Sequence, residues 1–302
     1  MQIKPIVPLP ITALLTCLLT ACSAHFNWDY PGHSIQPLNK ETTELADVTA
    51  DVLELANQLG SEHVLMVFDI DNTLLAMEQG LGADQWYEWQ ADLTHENPCS
   101  VQNVGNRFAA QGALFFISAM RPTQVDAASQ VKAIQNSGVA VIVVTSRGPQ
   151  YRLQTFRELR RNGHSFSHSA IGPVGGYDEA FIPVEGGRLS RYEDGVFMTA
   201  GQNKGEMLYA LLQKTGTPLP KVIVIVDDKQ KNLDAVIETF NALQVPVHAW
   251  RYGREDNTVK NFDRKRANAE WRSIEPALRQ IQQVMGPDNY DLGSVVLPKE
   301  CE

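Results

Sequence analysis

The chain has 302 residues, 43% of them hydrophobic, and carries 26 lysines and arginines against 35 aspartates and glutamates, a formal charge of -9. That length and apolar content allow a sizeable core and suit one large α/β domain with insertions, not a disordered chain. With an acidic balance and no basic run that could follow a phosphate backbone, charge argues against nucleic acid as a partner.

Residues 1–21 read as a signal peptide: Lys4 precedes an apolar stretch from Ile6 to Leu19 that is short and proline-rich for a membrane span. Leu19-Thr20-Ala21-Cys22 resembles the bacterial lipobox, which implies a lipidated Cys22 and a membrane attachment through that lipid only. Ser23 follows, and by resemblance to other lipoproteins the absence of aspartate there favours the outer membrane, facing the periplasm or the surface. Cys17 leaves with the signal, so Cys99 and Cys301 remain in an oxidising compartment and are expected either to pair or to stay as two independent thiols.

Residues 22–40, with Pro31, Gly32 and Pro37, read as a tether, and Glu41–Leu59 as a helix stopped by Gly60. Val64–Phe68 has the β-branched and aromatic content of a strand buried on both faces, and it runs directly into Asp69 and Asp71. Residues 76–118 show no repeating strand pattern and read as a mainly helical insert. Its Trp86, Tyr87 and Trp89 serve either as a substrate-facing cap or as the insert's own core.

From Thr123 a helix with Asp126 in a capping-box-like place stops at Gly138, and "VAVIVVTSRG" follows as a second buried strand. Gly148-Pro149 opens another helix that ends before Gly163. The glycine-rich stretch 171–201 suggests short strands and hairpins in a small second insert. "KGEMLYALLQKTG" is a helix, "KVIVIVDDKQKNL" a third buried strand ending in carboxylates, and "VPVHAWRY" a fourth. Residues 263–302 close the chain as an amphipathic helix and tail, outside a core of 41–75 and 119–262. Alternation of strand and helix predicts a parallel sheet.

Three buried strands therefore end in polar residues of complementary type: Asp69-x-Asp71-x-Thr73, Thr145-Ser146 and Asp227-Asp228, with Lys204 at a helix start between the last two. In this order they resemble the haloacid dehalogenase superfamily, most of whose members are Mg-dependent phosphohydrolases, and the likeness covers roughly Val64 to Leu233. Within it, "FDIDNTLL", "TAGQNKGEML" and "VDDKQKNL" after a signal peptide are similar to a secreted bacterial group of unassigned function, and more distantly to class B acid phosphatases.

The resemblance implies a Rossmann-like three-layer α/β/α core with a parallel sheet, a helical cap after the first motif and a small insert after the second. It implies Asp69 as nucleophile, Asp71 as general acid and base, and Mg held by the Asp69 carboxylate, the Asp71 backbone carbonyl and Asp228. Thr145 and Lys204 would contact the phosphoryl group, and Asp227 would hold the lysine. Asn232 is either a support for the metal shell or a helix-start polar residue. Ser146 and Arg147 are either substrate contacts or helix-entry chemistry. None of the seven histidines has metal-ligand spacing. The expected activity is hydrolysis of small phosphorylated metabolites, with phosphotransfer or a non-catalytic scaffold as alternatives; oligomeric state is not legible.

Overall fold

The computed structural model describes residues 35–285 and Leu292. The signal peptide, Cys22 and Cys301 lie outside the described residues. A seven-stranded sheet forms the core, in the spatial order β1 (Leu38–Thr42), β9 (Val247–Tyr252), β8 (Val222–Asp227), β2 (Val64–Phe68), β5 (Ala140–Thr145), β7 (Val196–Met198) and β6 (Arg191–Glu193). Its central members, β2, β5, β8 and β9, are all parallel. Every residue of β2 and β8 is buried, as strands covered on both faces require.

Alternate strand residues face opposite layers. Val64, Met66 and Phe68, with Val222, Val224 and Val226, pack against α1 (Leu45–Leu59), α4 (Ala127–Asn136) and α5 (Arg152–Arg161). Leu65, Val67, Ile223 and Ile225 face α6 (Lys204–Thr215) and α7 (Gln230–Ala242). The expected three-layer α/β/α architecture is therefore the one observed.

Three details differ from the sequence reading. The end of the expected tether is a strand: β1 (Leu38–Thr42) pairs in parallel with β9, Leu38 opposite His248 and Thr42 opposite Tyr252. Its sequence, LNKET, is mostly exposed, so backbone pairing makes it an edge strand with no hydrophobic alternation to announce it. The helix predicted from Glu41 accordingly starts at Leu45.

The hairpin expected in the second insert is present as β6 (Arg191–Glu193) and β7 (Val196–Met198), but it belongs to the core sheet, because β7 joins β5 in parallel. Asp194 and Gly195 at its turn both take positive φ, 45° and 79°, the conformation that matches strand twist in a tight hairpin. Asp126 does occupy the N-cap position of α4, but its carboxylate accepts from the Gln124 and Gln130 side chains and caps no backbone N–H.

The first insert leaves and re-enters the core through a two-stranded antiparallel ribbon, β3 (Leu75–Met77) with β4 (Met120–Pro122). Between them lie α2 (Asp84–Glu96) and α3 (Arg107–Ile117). After β9 come the short α8 (Asp256–Lys260) and the long α9 (Arg264–Met285). Trp86 and Trp89 of α2 and Leu114 of α3 share a core with Ala267, Trp271 and Leu278 of α9. The cap thus consists of the insert together with the C-terminal helix, and the two tryptophans are its core. Cys99 is disulfide-bonded.

Candidate active site

Four chain segments meet at the carboxyl ends of β2, β5 and β8, where open α/β sheets place ligand sites. After Phe68 the chain turns sharply: Thr73, Leu74 and Leu75 all donate their N–H to the Ile70 carbonyl, and Asn72 takes φ 57°. Asparagine tolerates this left-handed conformation better than most residues. Thr73 Oγ1 then accepts the Asp228 N–H at 3.0 Å and donates to Asp69 Oδ2 at 3.3 Å, tying the two aspartate-bearing strand ends together.

Lys204 is the first residue of α6, whose Asn203 cap accepts from the Gly205 and Glu206 N–H groups. α6 can approach α7 closely because Gly205 has no side chain; a Cβ there would lie 2.1 Å from the Ala235 carbonyl oxygen. That approach seats the buried Lys204 ammonium 2.6 Å from Asp69 Oδ1 and 2.6 Å from Asp227 Oδ2.

Asp227 is fully buried and its other contacts are the Lys229 N–H at 2.9 Å and the Asn232 side-chain amide at 2.9 and 3.1 Å. Asp227 is therefore the lysine's partner, as expected, and Asn232 fastens Asp227 in place directly.

Asp69, Asp227 and Asp228 bring carboxylate oxygens within 4.8 Å of one another. Burial pushes the Asp69 carboxyl up to about 7, against the pull of Lys204 in the other direction. Burial, with Asp69 and Asp227 adding to it, pushes Asp228 up to about 9. Burial alone would lower Lys204, but Asp227 and Asp69 outweigh it and hold its pKa above the usual lysine value. Three acidic groups share one ammonium, so the cluster is short of positive charge. An all-oxygen donor set with that deficit fits a hard divalent cation of the Mg type.

Asp71 is held differently. Arg147 donates Nε to its Oδ2 at 2.9 Å and an Nη to its Oδ1 at 2.7 Å, a two-pronged pairing of matched planar groups. The same guanidinium, 5% exposed, also donates to Thr155 Oγ1 at 3.0 Å and lies 4.7 Å over the Phe115 ring. Thr145, fully buried at the end of β5, accepts the Arg147 N–H through its hydroxyl oxygen at 3.2 Å. Arg147 is thus paired with the first motif's second aspartate, and it also lines the cavity described next. Ser146 beside it is exposed and faces the cavity.

Beyond Asp71 and Arg147 opens a cavity of about 1090 Å³ between the strand ends and the cap. Asp69, Asp227 and Asp228 are not among its lining residues, so Asp71 is where the carboxylate cluster's loop and the cavity meet. On the cap side, Asp84 and Glu88 of α2 both grip Lys229, which follows Asp228 directly. Tyr87, Phe108 and Tyr151 supply aromatic wall.

Lys229, Asp84, Glu88 and Arg107 escaped the sequence reading. The acidic residues at 84, 88 and 92, one helical turn apart, were the available sign that α2 turns a charged face to something. No helix among the described residues is long and apolar enough to cross a membrane.

A family profile described as "Protein of unknown function (DUF2608)" matches residues 41–283, and the chain belongs to that family. No curated protein matches the chain.

Proposed function

We propose that this member of the DUF2608 family is a Mg-dependent phosphomonoesterase working through an aspartyl-phosphate, as its resemblance to the haloacid dehalogenase superfamily implies. One observation carries the reading: a buried lysine bridging the aspartates that end two adjacent parallel strands, with a third carboxylate within reach of both. A structural ion pair needs one carboxylate; the surplus suits a site that takes up a cation and a phosphate.

Asp69, Asp228 and the Asp71 backbone carbonyl would hold the Mg ion, which supplies the positive charge that lets an anionic carboxylate approach a phosphomonoester. Asp69 attacks phosphorus while the ester oxygen departs with a proton from Asp71. Asp71, now a carboxylate, takes a proton from water as that water attacks the aspartyl-phosphate, releasing inorganic phosphate and restoring Asp69. Lys204 keeps Asp69 oriented and offsets charge on the phosphoryl oxygens. The Thr145 hydroxyl, whose oxygen accepts the Arg147 N–H, would donate its proton to a phosphoryl oxygen. Arg147 fixes the orientation of Asp71, and because both Asp71 oxygens accept from it, one of these bonds must open and Asp71 must take up a proton from solvent before it can hand one to the leaving oxygen.

The substrates are small phosphorylated metabolites reaching the periplasm or cell surface, with the enzyme tethered to the outer membrane through Cys22. The purified protein should release phosphate from members of a panel of sugar phosphates, nucleotides and aryl phosphates, and only with Mg present. No release from any of them, together with no Mg binding, would favour a scaffold; phosphate transferred to an added alcohol would favour a transferase. Cys22→Ser should leave the activity intact and move the protein from the membrane to the soluble fraction.

A further inference from the structure

The cavity beyond Asp71 holds cations without a carboxylate partner among the described residues. Arg107, Arg188 and Lys231 all line it. Among the described residues, none of the three has a carboxylate within salt-bridge distance. Arg107 stacks its guanidinium 4.8 Å from the Tyr87 ring and 5.6 Å from the Phe108 ring, and its buried Nε has no hydrogen-bond partner. Arg188 and Lys231 are exposed.

The other charges on the wall are accounted for. Lys229 is taken by Asp84 and Glu88, and Arg147 by Asp71. Asp92 is the remaining unpaired carboxylate on the wall; because Lys229 is shared by two carboxylates, the lining as a whole carries five cations against four carboxylates, with three of the cations unpaired. On a chain whose formal charge is -9, such a surplus in one concavity does not follow from composition. It marks a place where an anion is received.

The geometry points to a second anion subsite: we infer that the preferred substrate is a phosphomonoester whose leaving group carries a further carboxylate or phosphate, received by Arg107, Arg188 and Lys231. This rests on the phosphatase reading of the strand ends, because that reading puts the leaving oxygen at Asp71, the residue from which the cavity extends. The departing part of the substrate then occupies the cavity, and its volume exceeds what a phosphoryl group alone requires. The Tyr87 and Phe108 rings back the Arg107 guanidinium, a planar group of donors that matches a carboxylate or phosphate.

Phosphonates test this without depending on turnover, since their carbon–phosphorus bond survives a phosphatase. Binding of a homologous series of ω-phosphonoalkanoates and of the matching terminal amides is measured by calorimetry on the full protein with Mg. At the best chain length the acid should bind about ten- to a hundredfold more tightly than its amide. Charge removal by Arg107→Gln, Arg188→Gln and Lys231→Gln together should erase that difference while leaving the amide's affinity and the melting temperature unchanged.

An ω-bisphosphonate of equal length shows whether a second phosphoryl group is received better than a carboxylate. Equal affinity for acid and amide at every length, or a preference that survives in the triple variant, overturns the subsite. Selective acid binding without phosphate release from the corresponding esters leaves the subsite standing and removes the phosphatase reading.

Discussion

The strand ends and the cavity wall use charge in opposite ways. At the strand ends Lys204, Asp69 and Asp227 are buried and bound to one another within a rigid sheet. On the wall the cations stand on the cap helix α3, on the segment before β6 and on α7, and Arg107, Arg188 and Lys231 have no carboxylate partner among the described residues. Buried charges without partners are expensive, so Lys204 is already paired with both aspartates, and the surplus carboxylate charge there is what a bound cation would offset. Exposed charges are not expensive, so those on the wall can wait for a ligand. On the proposed function, the contrast would separate a reaction centre open to any phosphate ester from a wall that selects among esters.

The most severe break in the contrast is chemical. Asp71→Asn should slow hydrolysis of alkyl phosphates by about 10² to 10⁴, because a basic alkoxide needs a proton as it leaves. Aryl phosphates with an acidic phenol should instead give a burst of phenol and then a slow steady state, with phosphate held on Asp69. Rapid-quench kinetics and mass mapping of the trapped peptide read both effects. Equal slowing of alkyl and aryl substrates, with no burst, would return Asp71 to a structural role alongside Arg147.

Next comes the buried lattice itself. Lys204→Met leaves Asp69 and Asp227 facing each other without their ammonium, which should cost about 3 to 5 kcal/mol in denaturant unfolding and abolish turnover at every Mg concentration. Asp228→Ala removes one member of the crowded carboxylate cluster, so it should fold at least as well and regain part of its turnover at high Mg. If both variants respond alike to Mg, the distinction between fixed charge and metal ligand is lost.

The cap can be loosened while the sheet is left intact. Trp271→Ala in α9 removes a ring packed at 6.2 Å from Trp86, and truncating a buried tryptophan costs about 3 to 5 kcal/mol when the cavity does not collapse. The loss should fall on the insert. Hydrogen exchange should quicken in α2 and α3 while β2 and β8 keep their protection, and KM should rise more than kcat falls. Uniform loss of protection across the sheet would mean that cap and core unfold as one unit.

The mildest expectation concerns a residue remote from the chemistry. His164 is buried, neither ring nitrogen has a hydrogen-bond partner among the described residues, and burial, with Lys132 adding to it, lowers the imidazole to about 4. Its folded value lies below the unfolded value of roughly 6.5, so its contribution is present above that pH and is lost as pH falls through the folded value. Up to about 3 kcal/mol should disappear between these limits. His164→Leu should flatten that part of the stability curve, as urea titrations at several pH values would record.

Sequence alone determined the motif-bearing strands, because strands buried on both faces must be continuously apolar and the carboxylates at their ends break that run abruptly. Val64–Phe68 is recovered residue for residue, and Lys204 at a helix start lies where the order of motifs required it. β1 stayed hidden because an edge strand held by backbone pairing needs no side-chain pattern. The cap was half legible. The lack of a strand pattern within 76–118 indicated a helical insert, but not that α9, some 150 residues later, completes its core. Arg147 shows the same limit at the site: its place after Thr145 and Ser146 was plain, while its grip on Asp71 depends on two strand ends meeting side by side. Local sequence fixes which backbone a segment adopts and which groups it carries. Which of those groups are spent on each other, and which are left to meet a ligand, is decided only when segments distant in the chain are brought within a few ångströms.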